Sequence, residues 1–398
     1  MKKSLKYAII FLLTSLVLVS CKNETKETHP NQFTLSGEIK GLEGHLFFKH
    51  PDKEYKKGTL PDTIKVINGK IQFSDTISKL TLIRASPSSQ GPDKKLFKVP
   101  ANGRGFFPVK CSYLMFYAFP GADIKVSGEA TDFMNAYPEG DKFNDALAAI
   151  NKLAFPNYNT VGNLAIANTS ETDSIVILDN KEKSEAIAKK NINELISHIK
   201  NNPKSLGATW YLNDLLLRRQ IDETQAEELF NGLSSNDLSE FEDYKIIATR
   251  VSGIKNTKEG FPVPSIKTTA TLDGSEFNIN SLRGKYVLID FWGIWCGPCV
   301  KEMPEVKAFK EKYKDKLVVL GVNSGDTKEN VQKFIDEHNY DWQQILSDKK
   351  NTSDNFVNRF NVQGFPTKLI IDPKGNIVKR FLGSGEEAFD LLEELLEK

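Results

Sequence analysis

The chain has 398 residues, 39% hydrophobic and 26% charged, with a formal net charge of +1. That is an ordinary globular composition, long enough for two or three domains. It supplies no strong field to attract nucleic acid or an anionic membrane, and no window shows the basic, aromatic-interleaved pattern of a nucleic-acid binder, so no nucleic-acid partner is expected.

The first stretch, MKKSLKYAIIFLLTSLVLVSC, opens on Lys2, Lys3 and Lys6 and stays apolar from Tyr7 to Val19. It reads as an export signal, too short for a membrane span. Leu18-Val19-Ser20-Cys21 resembles the lipobox of bacterial lipoproteins. The resemblance implies a signal peptide over 1–20, cleavage before Cys21, and lipid on the Cys21 thiol and amine. The competing reading is an uncleaved anchor with an incidental cysteine. Under either reading the rest of the chain lies outside the cytoplasm. Residues 21–32 are polar and read as a flexible tether. Lys22 stands where an inner-membrane retention signal would have Asp, which favours a periplasmic protein held at the outer membrane.

Residues 33–130 read as a β-rich domain, a small sandwich or barrel. Phe33, Leu35 and Ile39 fall on alternate positions. Asn68-Gly69 between Ile64-Lys65-Val66 and Ile71-Gln72-Phe73 is a hairpin-turn signal. The stretch KCSYLMFYAFPGADIKVSG adds two strands around Pro120-Gly121, and Cys111 there reads as a small buried hydrophobe. Residues 131–257 read as a helical region. Ile187, Ile192, Leu195, Ile196 and Ile199 follow helical spacing, and Asn201-Asn202-Pro203 ends that helix. Residues 157–175 read as loop.

IKNTKEGFPVPSI reads as the entry to a third domain, 258–398. There strands and helices alternate: KYVLIDF, a helix after Cys299, KLVVLGV, a helix over Lys328–His338, KLIID, NIVKRFL and a last helix. The first three strands are near-continuous apolar runs, which predicts an α/β domain with a parallel-type sheet buried on both faces. Asp372-Pro373-Lys374-Gly375 makes the last strand pair antiparallel.

The four cysteines are too few for a disulfide framework in a chain this long, yet two of them form Cys296-Gly297-Pro298-Cys299. Such a pair binds zinc, forms a structural disulfide, or works as a redox dithiol. A zinc site needs about four ligands. No second pair exists and the histidines are scattered, so no metal site is expected. A structural disulfide closing so small a loop constrains the unfolded chain least.

The redox reading gains from position. The pair opens a helix after a buried strand, where peptide dipoles favour a thiolate. Cys296, which comes first with its sulfur at the exposed helix end, is the candidate nucleophile. Cys299, three residues on and on the same helix face, is placed to resolve the mixed disulfide. Gly297 permits close approach of a partner. Pro298 is tolerated in a first helical turn, whereas Pro304 further on is predicted to kink the helix. Asp290 lies within the apolar strand. Burial raises its proton affinity and suits it to handle the Cys299 proton, the alternative being an edge-strand Asp facing water.

DFWGIWCGPC and GFPTKLIID resemble the thioredoxin superfamily. The insertion KENVQKFIDEHNYDWQQILSD resembles its extracytoplasmic TlpA/ResA branch. The similarity covers about Gly260 to Lys398. It implies a thioredoxin-like fold and an enzyme that exchanges thiols and disulfides. Cys296 would be nucleophile, Cys299 the resolving thiol, Asp290 the buried acid, and Pro366 a cis-proline beside the disulfide. Substrate would pair with backbone at Phe365, and Trp295 and Trp292 would shape the site, Trp292 being equally readable as plain core. The redox-active disulfide would serve without further cofactor. Gly297-Pro298 together with Asp290 pushes the expectation toward a reductant, nearer the thioredoxin end at roughly −270 mV than the DsbA end at roughly −120 mV.

The expected partners are disulfide-containing envelope proteins. In an oxidising compartment a reductant must be recharged, which implies a membrane thiol carrier as electron donor. Cytochrome maturation and repair of oxidised proteins both fit. Two other readings compete: a peroxiredoxin-like peroxidase, weakened because WCGPC replaces the Pro and Thr before a peroxidatic cysteine, and a binding or holdase module whose thioredoxin-like part only docks partners.

Overall fold

The computed structural model describes residues 29–55, 59–87, 113–130 and 134–398. Cys21 and Cys111, with the signal and most of the tether, lie outside them. Strands β1 (Gln32–Lys40), β2 (Gly44–Phe48), β3 (Asp62–Ile67), β4 (Lys70–Thr76), β5 (Thr81–Pro87), β6 (Leu114–Ala118), β7 (Asp123–Ala130) and β8 (Met134–Glu139) form one sheet. Its order is β6-β5-β2-β3-β4-β1-β7-β8. Neighbours are antiparallel except β1 and β7. The end strands β6 and β8 approach each other, so the sheet curls toward a barrel around Phe33, Leu35, Ile64 and Phe116. Asn68-Gly69 makes the β3–β4 turn with φ of 51° and 76°. At Gly37 a Cβ would stand 1.8 Å from the Val126 carbonyl oxygen, so only glycine lets β7 lie this close to β1.

The sheet runs on to Glu139, past the boundary expected at 130. Met134 and Ala136 point inward from β8, but Asn135, Pro138 and Glu139 disguise the alternation. Six helices follow: α1 (Lys142–Ala167), α2 (Ser174–Asn201), α3 (Leu206–Leu217), α4 (Glu223–Asn231), α5 (Ser235–Leu238) and α6 (Glu242–Asn256). The loop expected over 157–175 is instead mostly helix. Helix α1 continues through Pro156 to Ala167, and only 168–173 turn before α2. The polar residues of this stretch bond to α2, to β8 or within the helix itself, Asn159 Nδ2 donating to Asn135 Oδ1 of β8 at 2.5 Å. Asn157 Nδ2 donates to Asn191 and Glu194 of α2, and Thr160 Oγ1 donates to the Pro156 carbonyl. Pairing with α2, invisible to local composition, holds α1 helical.

The last domain contains the short pair β9 (Lys267–Thr268) and β10 (Phe277–Asn278), then β11 (Tyr286–Trp292), α7 (Gly297–Lys312), β12 (Leu317–Ser324), α8 (Lys328–His338), β13 (Gln343–Ser347), α9 (Phe356–Arg359), β14 (Thr367–Ile371), β15 (Ile377–Leu382) and α10 (Glu387–Glu397). Its five-stranded sheet has the order β13-β12-β11-β14-β15. Strands β11, β12 and β13 are parallel. Strand β14 is antiparallel to β11, which corrects the expectation of three parallel apolar strands. Burial on both faces makes a strand apolar whichever way it runs, so composition does not encode direction. Strand β13 was not expected. Its glutamines broke the apolar run, yet Gln344 is buried.

The helical region is fastened to this domain. Gly253 of α6 lies against α9, where a Cβ would stand 2.6 Å from the Arg359 carbonyl oxygen. The buried Arg250 donates to the Val362 carbonyl at 3.1 Å. Among the described residues no helix is long and apolar enough to cross a membrane.

Candidate active site

Strand β11 lies at the centre of the sheet, and six of its seven residues are buried. It delivers the chain to Cys296, which takes extended backbone (φ −89°, ψ 91°) and caps α7. The Cys296 sulfur accepts the Cys299 backbone N–H at 3.2 Å. That bond satisfies one of the orphan donors of the first turn, and the helix dipole adds positive potential at the same sulfur. Pro298 sits in that turn, where it withholds no needed donor. Lys310 and Lys312 in the last turn complement the other end of the dipole.

The two sulfurs form a disulfide with Cα atoms 5.2 Å apart. Cys296, expected at an exposed helix end, is buried like Cys299, because the paired sulfurs pack with Trp292 and Met303. Gly297 and Pro298 are exposed beside it. A Cβ at Gly297 would meet nothing within 4 Å, so this side is open to a partner. Trp295, 59% exposed, flanks the pair, and its indole N–H donates to the Ser324 carbonyl at 2.8 Å. Its ring meets the Phe365 ring edge-on with centroids 5.1 Å apart. The Phe365–Pro366 peptide bond is cis, and Thr367 Oγ1 bonds back to the Gly364 carbonyl. Trp292 differs from Trp295. It is fully buried, with its N–H on Gln344 Oε1 at 2.9 Å.

Asp290 is buried, not on an edge strand facing water. It shares the face of β11 with Leu288 and Trp292, which pack into the cluster containing both cysteines. Burial pushes its carboxyl up to about 6, Lys368 opposing the rise and Glu302 adding to it. The Lys368 ammonium, also buried, lies 3.9 Å from Asp290 Oδ1 and is bonded to Glu302. Sequence reading missed both Lys368 and Glu302. Signals existed: a lysine inside the apolar run TKLII, and a glutamate three residues beyond Cys299 on one helix face.

A cleft of about 560 Å³ opens elsewhere, between the first sheet, the helices and Lys350-Asn351, with Trp210 and Asp243 in its wall. None of the residues around the disulfide lines it.

A central mixed sheet and a Cys-Gly-Pro-Cys disulfide at a helix start define a thioredoxin-like thiol–disulfide exchange domain. Residues 258–396 match the Redoxin family. The chain is 33% identical over 128 residues to the thiol-disulfide oxidoreductase ResA of Bacillus cereus, covering 32% of this chain and 70% of the relative. It is 33% identical over 144 residues to the thioredoxin-like protein YneN of Bacillus subtilis, covering 35% of this chain and 79% of the relative. A solved thioredoxin domain of a Bacteroides vulgatus thiol-disulfide oxidoreductase is 31% identical, covers 35% of this chain and 98% of that one, and superposes with a TM-score of 0.32. The chain belongs to the ResA-like thiol-disulfide oxidoreductases of the thioredoxin superfamily.

Proposed function

We propose that the protein is a lipid-tethered reductase of protein disulfides in the cell envelope, with Cys296 as the attacking thiol. The observation that carries this reading is the placement of Cys296 at the start of α7, its sulfur accepting the Cys299 N–H. A thiolate there is stabilised by the helix start and is the reactive form.

In the reduced protein the Cys296 thiolate attacks one sulfur of a substrate disulfide. A Cys296–substrate bond forms, the substrate S–S bond breaks, and the released thiolate takes a proton. Cys299 then gives its proton to the Asp290 carboxylate and attacks the Cys296 sulfur. The mixed disulfide breaks, the second substrate thiolate leaves and is protonated, and Cys296–Cys299 is formed. Two electrons have passed to the substrate. The dithiol itself is the redox group, so no further cofactor is required. Trp295, Gly297, Pro298, Phe365 and Pro366 surround the approach and suit a peptide segment laid across the disulfide.

Return to the dithiol needs an electron donor, for which a membrane thiol carrier is the fitting class. The basic and apolar start of the chain and Cys21 support export and lipidation, and Lys22 supports the outer membrane. In the test, full-length protein with dithiothreitol is added to insulin and precipitation of reduced B chain is followed. The wild type accelerates precipitation and Cys296→Ser does not; full activity of Cys296→Ser sinks the assignment. Cys299→Ser is expected to hold envelope substrates as mixed disulfides.

A further inference from the structure

Strand β14 is buried along its whole length, yet it contains Lys368, 2% exposed. An ammonium taken out of water must find opposite charge and hydrogen bonds. Two carboxylates face this one. Glu302 of α7 bonds it directly. Asp290 is its cross-strand partner in register on β11, with Nζ 3.9 Å from Oδ1. The two acids are held differently. Glu302 is fixed at both ends, since its other oxygen accepts the Gly385 N–H at 2.9 Å. Asp290 Oδ1 has no hydrogen-bond partner among the described residues.

The remaining surroundings carry no competing cation. On β12 the neighbour of Asp290 is Gly321, over which the Gln344 amide folds from β13. Helix α7 contributes the two cysteines, Glu302 and, further out, Glu305, which feels Glu386 and Asp390 near α10. Helix α10 also places the Phe389 ring 5.7 Å from the ammonium. Among the described residues Lys368 is the one cation acting on Asp290.

We propose that Lys368 is a positioning residue for the resolving step, shared between two acids: it supports the Asp290 carboxylate until Cys299 hands over its proton, then settles on Glu302 alone. The charge count explains why. With Asp290 ionised the three groups sum to −1, and with Asp290 protonated they sum to zero. Burial favours the neutral set, so Asp290 takes the Cys299 proton readily. Without the lysine the same transfer would run between −2 and −1, and the carboxylate needed to receive the proton would be scarce at neutral pH. Glu302 acts in the opposite sense by repelling that carboxylate. This inference rests on Asp290 as proton acceptor for Cys299.

Reduced full-length protein mixed with 5,5′-dithiobis(2-nitrobenzoate) reports both steps. The first thionitrobenzoate released marks attack by Cys296, and the second marks resolution by Cys299. Each phase is followed by stopped flow between pH 5 and 9. Lys368→Met is expected to move the midpoint of the second phase alkaline by at least one pH unit and slow it at least tenfold at pH 7. Lys368→Arg is expected to keep the wild-type midpoint, and Glu302→Gln to move it to lower pH. A second phase slowed by the same factor at every pH in Lys368→Met, or an alkaline shift in Glu302→Gln, overturns the proposal. If Lys368→Met does not fold, Glu302→Gln carries the test, and an unmoved midpoint there overturns it. Asp290→Asn separates the levels. An unaffected second phase in that variant removes the proton role of Asp290 along with this inference. A strong effect there without a Lys368→Met shift removes this inference alone.

Discussion

Two acids with raised proton affinity, the half-buried Asp243 and the fully buried Asp290, stand on either side of the boundary near residue 257 and make an instructive pair. Burial pushes Asp243, on α6, and Asp290, on β11, each up to about 6. Asp243 accepts the Tyr117 hydroxyl at 2.9 Å and has Arg84 nearby. It ties the first sheet to the helices, and no thiol is among its partners. Asp290 shares its strand face with Leu288 and Trp292, which pack with the two cysteines, and its one cation is shared with Glu302. A perturbed proton affinity therefore does not mark a site by itself. What the acid faces decides.

The other buried polar groups do not divide between the two regions in this way. Asn144 in the first half spends its amide on both backbone groups of Tyr117 and on Asp141. In the redox domain Asp290 Oδ1, Asn323 Oδ1 and Gln344 Nε2 have no hydrogen-bond partner among the described residues. The helical half has such atoms too, at Asn151 Nδ2, Asn213 Oδ1 and Gln220 Oε1, so an unpaired buried atom marks the redox site no better than a raised proton affinity does.

The sharpest way to break the comparison is to neutralise each acid. Asp290→Asn is expected to slow disulfide exchange by about 10²-fold or more, the range of lost general acid–base catalysis. Asp243→Asn is expected to leave insulin reduction unchanged. Equal losses in the two variants would erase the distinction.

Stability should move the other way. A carboxyl raised on folding adds stability below its unfolded value of 3.8, and that contribution is lost as pH rises through about 6. At pH 8 the ionised Asp290 is therefore a burden, and Asp290→Asn is expected to stabilise by on the order of 3 kcal/mol in urea unfolding. The gain should vanish near pH 3. Asp243→Asn should show the same sign.

The join between the halves yields a smaller effect. Gly253→Ala would press a methyl onto the Arg359 carbonyl and is expected to cost about 1–3 kcal/mol. A neutral result in thermal unfolding would mean that α6 and α9 part easily. Least of all, Trp295→Ala is expected to change stability by no more than about 0.5 kcal/mol, because the ring is largely exposed. Its effect should appear as a raised KM for protein disulfides.

The site's local parts were legible in sequence. Cys296, Cys299 and Asp290 lie on one continuous strand–turn–helix, and Phe365-Pro366 stands directly before an apolar strand. Lys368 and Glu302 were not found, because only the fold joins them: Glu302 lies one helical turn beyond Cys299, but its partner Lys368 comes from β14, 66 residues further along the chain. The distal half of α1 was misread for a related reason. Its contacts with α2 and with β8, such as Asn157 to Asn191 and Asn159 to Asn135, come from elements distant in the chain. The reversal of β14 left no trace in composition, because a strand buried on both faces is apolar in either direction.

The central claim is that the helix start makes Cys296 the reactive thiolate. Reduced full-length protein treated with limiting iodoacetamide across pH 5–9, with the labelled cysteine located by peptide mass, tests it directly. Cys296 should be alkylated first, with a half-maximal rate well below the pH of about 8.5 at which an ordinary thiol ionises, while Cys299 stays unlabelled. Equal labelling of the two, or a rate that rises only near 8.5, would contradict it.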